Sequence, residues 1–330
     1  MKKILVTGSE GSLGSEIVAR LLARGCNVRG VDTLHRKNPS SFAYEYMHGD
    51  LRNADFVKKV MTDDVVGLFH CAAEVNGVAG MHLCPATIMF NNTEIDLRVV
   101  GAAARKNVEF ISQMSSSIIY EMVPRLPFKE EDVDIYPSPR TGYLFAKLYS
   151  ERSCQAVGEQ YGQAYSIWRP FNMLSPKERS ISFRGRRTGF NHVYADFIRM
   201  LVVEKMNPLP LIGDGEQVRC FSWIGDVADG IVQHSFSERS RNTIFNLGNP
   251  EPITMKQLAL LIYEEAQGMG LLPSSLPPLK FTTVKSFGGD LRNRVPDITR
   301  AKTVLGWEPK VGTREAIRKC LTAVPDLYFT

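Results

Sequence analysis

In the first half of the chain, short apolar runs alternate with stretches whose apolar residues recur at helical spacing. Ile4-Leu5-Val6 reads as a buried strand. Leu13, Ile17, Val18, Leu21 and Leu22 follow at the rhythm of a helix that Gly25 ends. Further strands are predicted at Val28 to Val31, Tyr44 to His48, Leu68 to Cys71, Phe110 to Met114 and Ser166 to Trp168. A long helix is predicted through Tyr143, Lys147 and Glu151 towards Tyr161. Strands alternating with helices in this way build a parallel sheet covered on both faces, so the predicted class is α/β with a doubly wound parallel sheet.

After Pro170 the rhythm changes, with Pro, Gly and Arg frequent over 172–190. A helix at about 193–205, a loop-rich stretch at 206–220, helices near 254–267 and 313–323 and a Pro-rich connector at 273–278 suggest a smaller, mixed α/β C-terminal substrate domain. Cys220 to Gln233 again reads as a strand followed by a helix. The expected division is therefore 1–171 plus about 220–248 for the large domain, and 172–219 plus 249–330 for the small one.

Composition narrows the class. With 330 residues, 44% of them hydrophobic and 23% charged, the chain suits a large globular domain plus a smaller one. The net charge of +5 is spread without a basic block, which argues against a nucleic-acid partner. The six cysteines contain no C-x-x-C pair and read as reduced thiols, and the six histidines show no metal-binding spacing, so no metal is expected. The apolar run at Ile4–Val6 is too short for a signal sequence or a membrane span, and the expectation is a soluble, cytoplasmic protein.

Gly8, Gly11 and Gly14 form G-x-x-G-x-x-G between the first strand and the first helix. Side chains there would hold the backbone away from a pyrophosphate, and the helix N-terminus offers it N–H groups and a positive dipole end. This predicts a Rossmann-type dinucleotide site. Asp32 ends the second strand, where a carboxylate accepts from the adenosine ribose and repels a 2′-phosphate, favouring NAD over NADP. Arg36 and Lys37 follow closely and pull the other way. Asp50-Leu51 is placed to meet the adenine. Ala72 and Ala73, after the fourth strand, read either as cofactor contacts or as plain close packing.

Tyr143 and Lys147 stand one helical turn apart on one face. An adjacent ammonium is expected to lower the pKa of the phenol, whose phenolate can take a hydroxyl proton while hydride leaves the same carbon for the nicotinamide. Together with Thr7-Gly8 to Gly14, Asp32, Ser115-Ser116-Ser117, Arg169-Pro170-Phe171-Asn172, Gly213-Asp214-Gly215, Arg219, Asp226-Val227-Ala228 and Leu305 to Pro309, this pattern resembles the extended short-chain dehydrogenases/reductases of the nucleotide-sugar epimerase/dehydratase kind over nearly the whole chain. The resemblance implies tightly held NAD, a nucleotide-sugar substrate in the small domain and transient oxidation of the sugar at C4. It also implies a homodimer formed through the helix carrying Tyr143 and the long helix before it.

Counting back from Tyr120, the resemblance selects Ser116 as the catalytic hydroxyl and leaves Ser115 and Ser117 as end caps. It assigns Arg219 and Arg294 to the diphosphate, Asn172 to the substrate phosphate region, and Asn191 or His192 to a further phosphate contact. Arg184, Arg186 and Arg187 read as a solvated loop.

The residues after Ser116 bear on the reaction. A dehydratase's Asp-Glu pair would fall on Ser117 and Ile118, and a sugar-acid decarboxylase's glutamate on Ile118. Ala72 to Gly80 and Asn91-Asn92-Thr93 resemble GDP-mannose 3,5-epimerase, whose catalytic cysteine would also fall on Ile118 and whose lysine would fall near His192. Isoleucine moves no proton. The expected reaction is therefore 4-epimerisation through a 4-keto sugar, with a GDP-sugar favoured over a UDP-sugar. Net C4 oxidation or reduction, C3/C5 epimerisation with atypical residues, and a non-enzymatic Rossmann binder are the alternatives.

Overall fold

The computed structural model describes residues 2–34, 43–75, 77–139, 141–178, 180, 191–285 and 291–329. Arg36, Lys37, Asn76, Arg184, Arg186 and Arg187 lie outside the described residues. In chain order the first strands are β1 (Lys3–Thr7), β2 (Val28–Asp32), β3 (Glu45–His48), β4 (Val65–His70), β5 (Phe110–Met114) and β6 (Tyr165–Pro170). They are followed by β7 (Met173–Leu174), β8 (Leu209–Ile212), β9 (Val218–Cys220), β10 (Ser222–Trp223), β11 (Thr243–Leu247), β12 (Pro252–Thr254), β13 (Phe281–Val284) and β14 (Asn293–Arg294). The helices are α1 (Ser12–Ala23), α2 (Ala54–Val60), α3 (Gly77–Leu83), α4 (Pro85–Lys106), α5 (Asp132–Ile135) and α6 (Gly142–Tyr161). Beyond these come α7 (Val193–Ile198), α8 (Ile224–His234), α9 (Met255–Gly268), α10 (Thr313–Thr322) and α11 (Val324–Tyr328).

One seven-stranded sheet runs β11-β6-β5-β4-β1-β2-β3, and every pairing in it is parallel. The order reverses between β1 and β4, the switch point where a doubly wound sheet opens a crevice beyond its strand ends. On one face, Leu13, Ile17, Val18 and Leu21 of α1 pack with Val227, Ala228 and Ile231 of α8 and with Trp168 and Phe245. On the other face, Val57 and Val60 of α2 and Val99, Val100 and Ala103 of α4 cover Leu5, Val31, Leu68 and Ile111. The central strands β1 and β4 are almost wholly buried, which is why they read as apolar runs. Helix α1 closes as its sequence predicts: Gly25 follows the C-cap at φ +74°, a conformation glycine adopts without a Cβ penalty.

A separate apolar cluster joins Tyr194, Phe197 and Ile198 of α7, Leu209 and Leu211 of β8, Leu258 and Ile262 of α9, and Ile317 and Leu321 of α10. Helix α9 begins with a capping box, in which the Thr254 side chain accepts from the Gln257 N–H and the Gln257 side chain returns to the Thr254 N–H.

Three expectations need correction. The helix expected over 193–205 is α-helical only to Ile198 and continues as a π turn over Arg199–Val203. The loop-rich stretch 206–220 contains β8 and β9, which pair with β13 and with β12 and β14. The outermost strand of the large sheet, β11, has no counterpart among the predicted strands. Among the described residues, no helix is long and apolar enough to cross a membrane.

Candidate active site

The glycine turn is a matter of close approach. Gly8 has φ +66°, and a Cβ on it would come within 2.8 Å of the Ala72 nitrogen. A Cβ on Gly14 would lie 1.9 Å from the Gly8 carbonyl oxygen. The turn thus packs against the end of β4 and starts α1 with Gly11 as N-cap, no side-chain cap and no acidic residue in the first turn. An uncapped, acid-free helix start fits a pyrophosphate, whose charge the N–H groups and dipole would meet. Gly8, Gly11 and Gly14 line a cavity of about 830 Å³ at the switch point.

Asp32, at the end of β2, and Asp50, just after β3, are held by short contacts. Asp32 accepts from the Glu10 N–H at 2.9 Å and the Leu34 N–H at 3.1 Å. Asp50 is gripped by Arg52 through contacts of 2.6 to 3.1 Å, which holds its carboxyl below the usual range. Arg52 also donates to Asn91, and Asn91 to Glu74. Leu51 is buried against Val57, Val60 and Met61. Asp32, Asp50, Leu51 and Ala72 are not part of the cavity lining, whereas Ala73 is. Ala72 packs on Gly8 and donates to Thr7 Oγ1 at 3.3 Å.

Helix α6 presents Tyr143, Lys147 and Glu151 on one buried face at i, i+4 and i+8. Lys147 Nζ donates to the Met114 carbonyl at 3.0 Å, which ties the helix to the end of β5. Tyr143 packs with Ile88, Leu144, Met81 and Ile118. Its phenol does not follow the expected direction. Burial pushes the Tyr143 pKa above the ordinary tyrosine value, Lys147 pulls it back only in part, and Asp96 adds to the rise.

The three serines after β5 also divide differently from expectation. Ser116 is the one that caps, accepting from the Ile118 N–H at 3.3 Å, and it lines the cavity. Ser115 donates to Glu151 Oε1 at 2.5 Å. Glu151 is paired in turn with Arg169 at 2.7 Å, both being 1% exposed. Arg169 reaches the Tyr120 hydroxyl at 2.9 Å and the Glu130 carbonyl at 2.7 Å.

Opposite this group, Arg219 on β9 and Arg294 on β14 are register partners on adjacent parallel strands, and both line the cavity. Two guanidinium groups side by side at a cavity wall suit a polyanion. Asn172, held at φ +31°, donates to the Cys220 carbonyl at 2.9 Å and also lines the cavity. Asn191 donates to Asp196 at 2.9 Å and Ser180 at 3.0 Å. His192 stands at the N-cap position of α7 without a side-chain cap bond, and its Nδ1 lies 2.8 Å from both oxygens of Glu178. Partial desolvation opposes charge on the imidazole, but Glu178 and Asp196 outweigh it and the His192 pKa lies above the ordinary value. The imidazole remains 54% exposed, and His192 lines the same cavity.

Glu178, Asp214 and Arg292 line the cavity as well, and none of them is among the site residues expected from sequence. Arg292 stands two positions before Arg294 and pairs with Asp214 at 3.0 Å, so strand alternation could have pointed to it. Glu178 is separated from His192 by 14 positions, and no local pattern marks it.

A parallel sheet of this order with a glycine turn at its switch point defines a Rossmann-type dinucleotide-binding enzyme. Residues 4–248 match the NAD dependent epimerase/dehydratase family, and the chain belongs to that family, with NAD as its cofactor. The chain is 28% identical to UDP-glucuronic acid decarboxylase 4 of Arabidopsis thaliana, over 96% of its own length and 67% of the relative's. It is 27% identical to GDP-mannose 3,5-epimerase 1 of Oryza sativa subsp. indica, over 96% and 80% of the two chains. Among solved structures it is similar to the UDP-glucose 4-epimerase of Thermotoga maritima with UDP-glucose, at TM-score 0.82, 25% identity, and coverage of 98% and 99%. The UDP-glucose 4-epimerase of Thermus thermophilus in complex with NAD gives 0.80, 25%, 97% and 98%.

Proposed function

We propose that the chain is an NAD-dependent nucleotide-sugar 4-epimerase working through a transient 4-keto sugar. The observation that carries this reading is that Tyr143, Lys147 and Ser116 line one cavity with Arg219 and Arg294, while Ile118 stands beside Tyr143 where a further acid or base would be needed. Gly8, Gly11, Gly14, Asp32, Ala73 and Lys147 would hold NAD, which when bound accepts and returns hydride. Tyr143 takes the proton of the C4 hydroxyl and later restores it. Ser116 donates a hydrogen bond to the C4 oxygen, and Lys147 favours the phenolate. Arg219 and Arg294 hold the diphosphate, with Asn172, Asn191 and His192 beside them, so the sugar can turn without leaving. Asp50 and Leu51 serve the adenine end, with Ala72 as packing under Gly8.

The reading takes guanosine as the base, on the likeness of Ala72 to Gly80 to GDP-mannose 3,5-epimerase. It includes the two-domain division at 171/172 with exchange over about 220–248, and a cytoplasmic homodimer paired through α4 and α6. Phe90 and Leu97 on α4 and Phe145 on α6 are exposed at 63%, 59% and 45%, which supports a partner surface there. Incubation with GDP- and UDP-sugars tests the reaction: a new C4 epimer with unchanged NAD is expected. Full turnover by Tyr143→Phe would sink the mechanism.

A second reading, C3/C5 epimerisation, is favoured by one observation. His192 lines the cavity with its imidazole held by Glu178, an arrangement able to move a proton. Solvent deuterium at C3 or C5 of the product would establish it, and its absence would leave C4 chemistry alone.

A further inference from the structure

We infer that Glu10 acts with Asp32 as a second carboxylate that excludes a 2′-phosphorylated dinucleotide. This rests on the reading of Asp32 as the residue that meets the adenosine ribose. Glu10 lies between the first two glycines of the turn. Its N–H donates to Asp32 Oδ2 at 2.9 Å, so its side chain leaves the backbone directly beside the Asp32 carboxylate. The Tyr44 hydroxyl donates to Glu10 Oε1 at 2.6 Å. The Tyr44 ring lies against β2, so close that a Cβ on Gly30 would come 2.5 Å from it. Glu10 is thereby drawn to the β2 side of the turn.

Chemistry separates the two cofactors at this point. An acidic residue over the first turn of α1 would weaken the anion site, and that turn has none. An acidic residue beside Asp32 does no such harm, because the ribose hydroxyls of NAD are neutral and donate to carboxylates. NADP would bring a phosphate carrying about two negative charges against both carboxylates. In a partly solvated site, each such repulsion is on the order of a tenfold loss of affinity. Asp32 alone could be offset by nearby basic residues, whereas two carboxylates, one held by the Glu10 main-chain N–H and the other by the Tyr44 hydroxyl, are harder to offset. Glu10 thus sets how strongly the site refuses NADP, and Tyr44 positions it.

The test is calorimetric titration of NAD⁺ and NADP⁺ into the cofactor-stripped full chain, as wild type, Glu10→Gln and Asp32→Asn. The ratio of the NADP⁺ to the NAD⁺ dissociation constant should fall about tenfold in Glu10→Gln. A ratio that falls in Asp32→Asn but stays unchanged in Glu10→Gln overturns the role of Glu10 and leaves the ribose reading intact. A ratio unchanged in both overturns the ribose reading as well. A wild-type measurement needs no variant to fold: the ratio should fall between low and high salt, and a salt-independent ratio rules out exclusion by charge.

Discussion

The Lys147 ammonium donates to the main-chain carbonyl of Met114, 3.0 Å away, at the end of the strand that leads into Ser115 and Ser116. One bond therefore fixes helix α6 against the segment that carries the candidate hydroxyl. It also holds a buried cation near the Tyr143 phenol, against the rise that burial and Asp96 impose. Replacing Lys147 with Gln removes that opposition, so the Tyr143 pKa moves further up. The limb of the kcat–pH profile that depends on phenolate should shift to higher pH, and kcat near neutrality should drop by about 10² to 10⁴. A pH–rate profile that stays in place would show that Lys147 does not act on Tyr143.

Arg219 and Arg294 face the same cavity from adjacent strands. Replacing either with Gln removes a charge-assisted contact worth about 1.5–3 kcal/mol, or roughly 10- to 150-fold in affinity for a nucleoside diphosphate. Titration calorimetry with GDP and UDP would measure this, with NAD⁺ binding as the control. Loss of NAD⁺ binding to the same extent would place these arginines elsewhere in function.

Much of the large sheet is legible in the sequence because parallel strands buried on both faces leave apolar runs, as at Leu5-Val6 and Leu68-Phe69. Tyr143 and Lys147 are legible because i, i+4 spacing on a helix is local geometry. The remainder depends on contacts distant in sequence. β11 carries the fully buried Asn246, which accepts from Tyr120 and donates to the Phe128 carbonyl, so its run reads as too polar for a sheet strand. β8 holds Pro210 and alternates in burial over four residues, too short a span to establish a period. Ser115 reads as a cap because nothing near it in sequence announces Glu151 on α6.

On the proposed reading, in which His192 meets the diphosphate, His192 and Glu178 should make nucleotide binding depend on pH. The His192 pKa is raised above 6.5, so the cation it offers to a diphosphate is present below that value and is lost as pH rises through the folded pKa. Glu178 is held below 4.5 by His192 despite its burial, so its own contribution is present above 4.5 and lost only on acidification. Glu178→Gln leaves only Asp196 to oppose desolvation and should lower the His192 pKa. Proton NMR titration of the imidazole, assigned with His192→Gln, would follow the shift. Nucleotide affinity should weaken at a lower pH in Glu178→Gln than in wild type, and an unmoved midpoint would count against the pairing.

Glu151 and Arg169 are both 1% exposed, and removing one partner leaves the other charge buried. Glu151→Gln should therefore cost about 3–5 kcal/mol of stability, seen as a fall in unfolding midpoint. It also weakens the Ser115 contact, so catalysis should fall in the fraction that remains folded. A variant as stable as wild type would mean that the pair is compensated by groups other than Tyr120 and Glu130.

Two glycines give opposite expectations, and the contrast isolates the dinucleotide turn. A Cβ on Gly14 would sit 1.9 Å from the Gly8 carbonyl oxygen, which is backbone and cannot rotate away. Gly14→Ala must push the start of α1 off the turn, so NAD⁺ affinity should fall by at least about tenfold, with a lower unfolding midpoint. Gly268 ends α9, carries no positive φ, and a Cβ on it would meet no described atom within 4 Å beyond its chain neighbours and its own helix backbone. Gly268→Ala reduces the freedom of the unfolded chain and adds helix propensity, so it should stabilise by about 0.4–1 kcal/mol with NAD⁺ affinity unchanged. Thermal unfolding with and without NAD⁺ separates the two effects. Added NAD⁺ should raise the midpoint of Gly268→Ala as it does that of the wild type, and at the same concentration should raise that of Gly14→Ala distinctly less. Equal NAD⁺ stabilisation of both variants would mean that the cofactor does not depend on the Gly8–Gly14 contact.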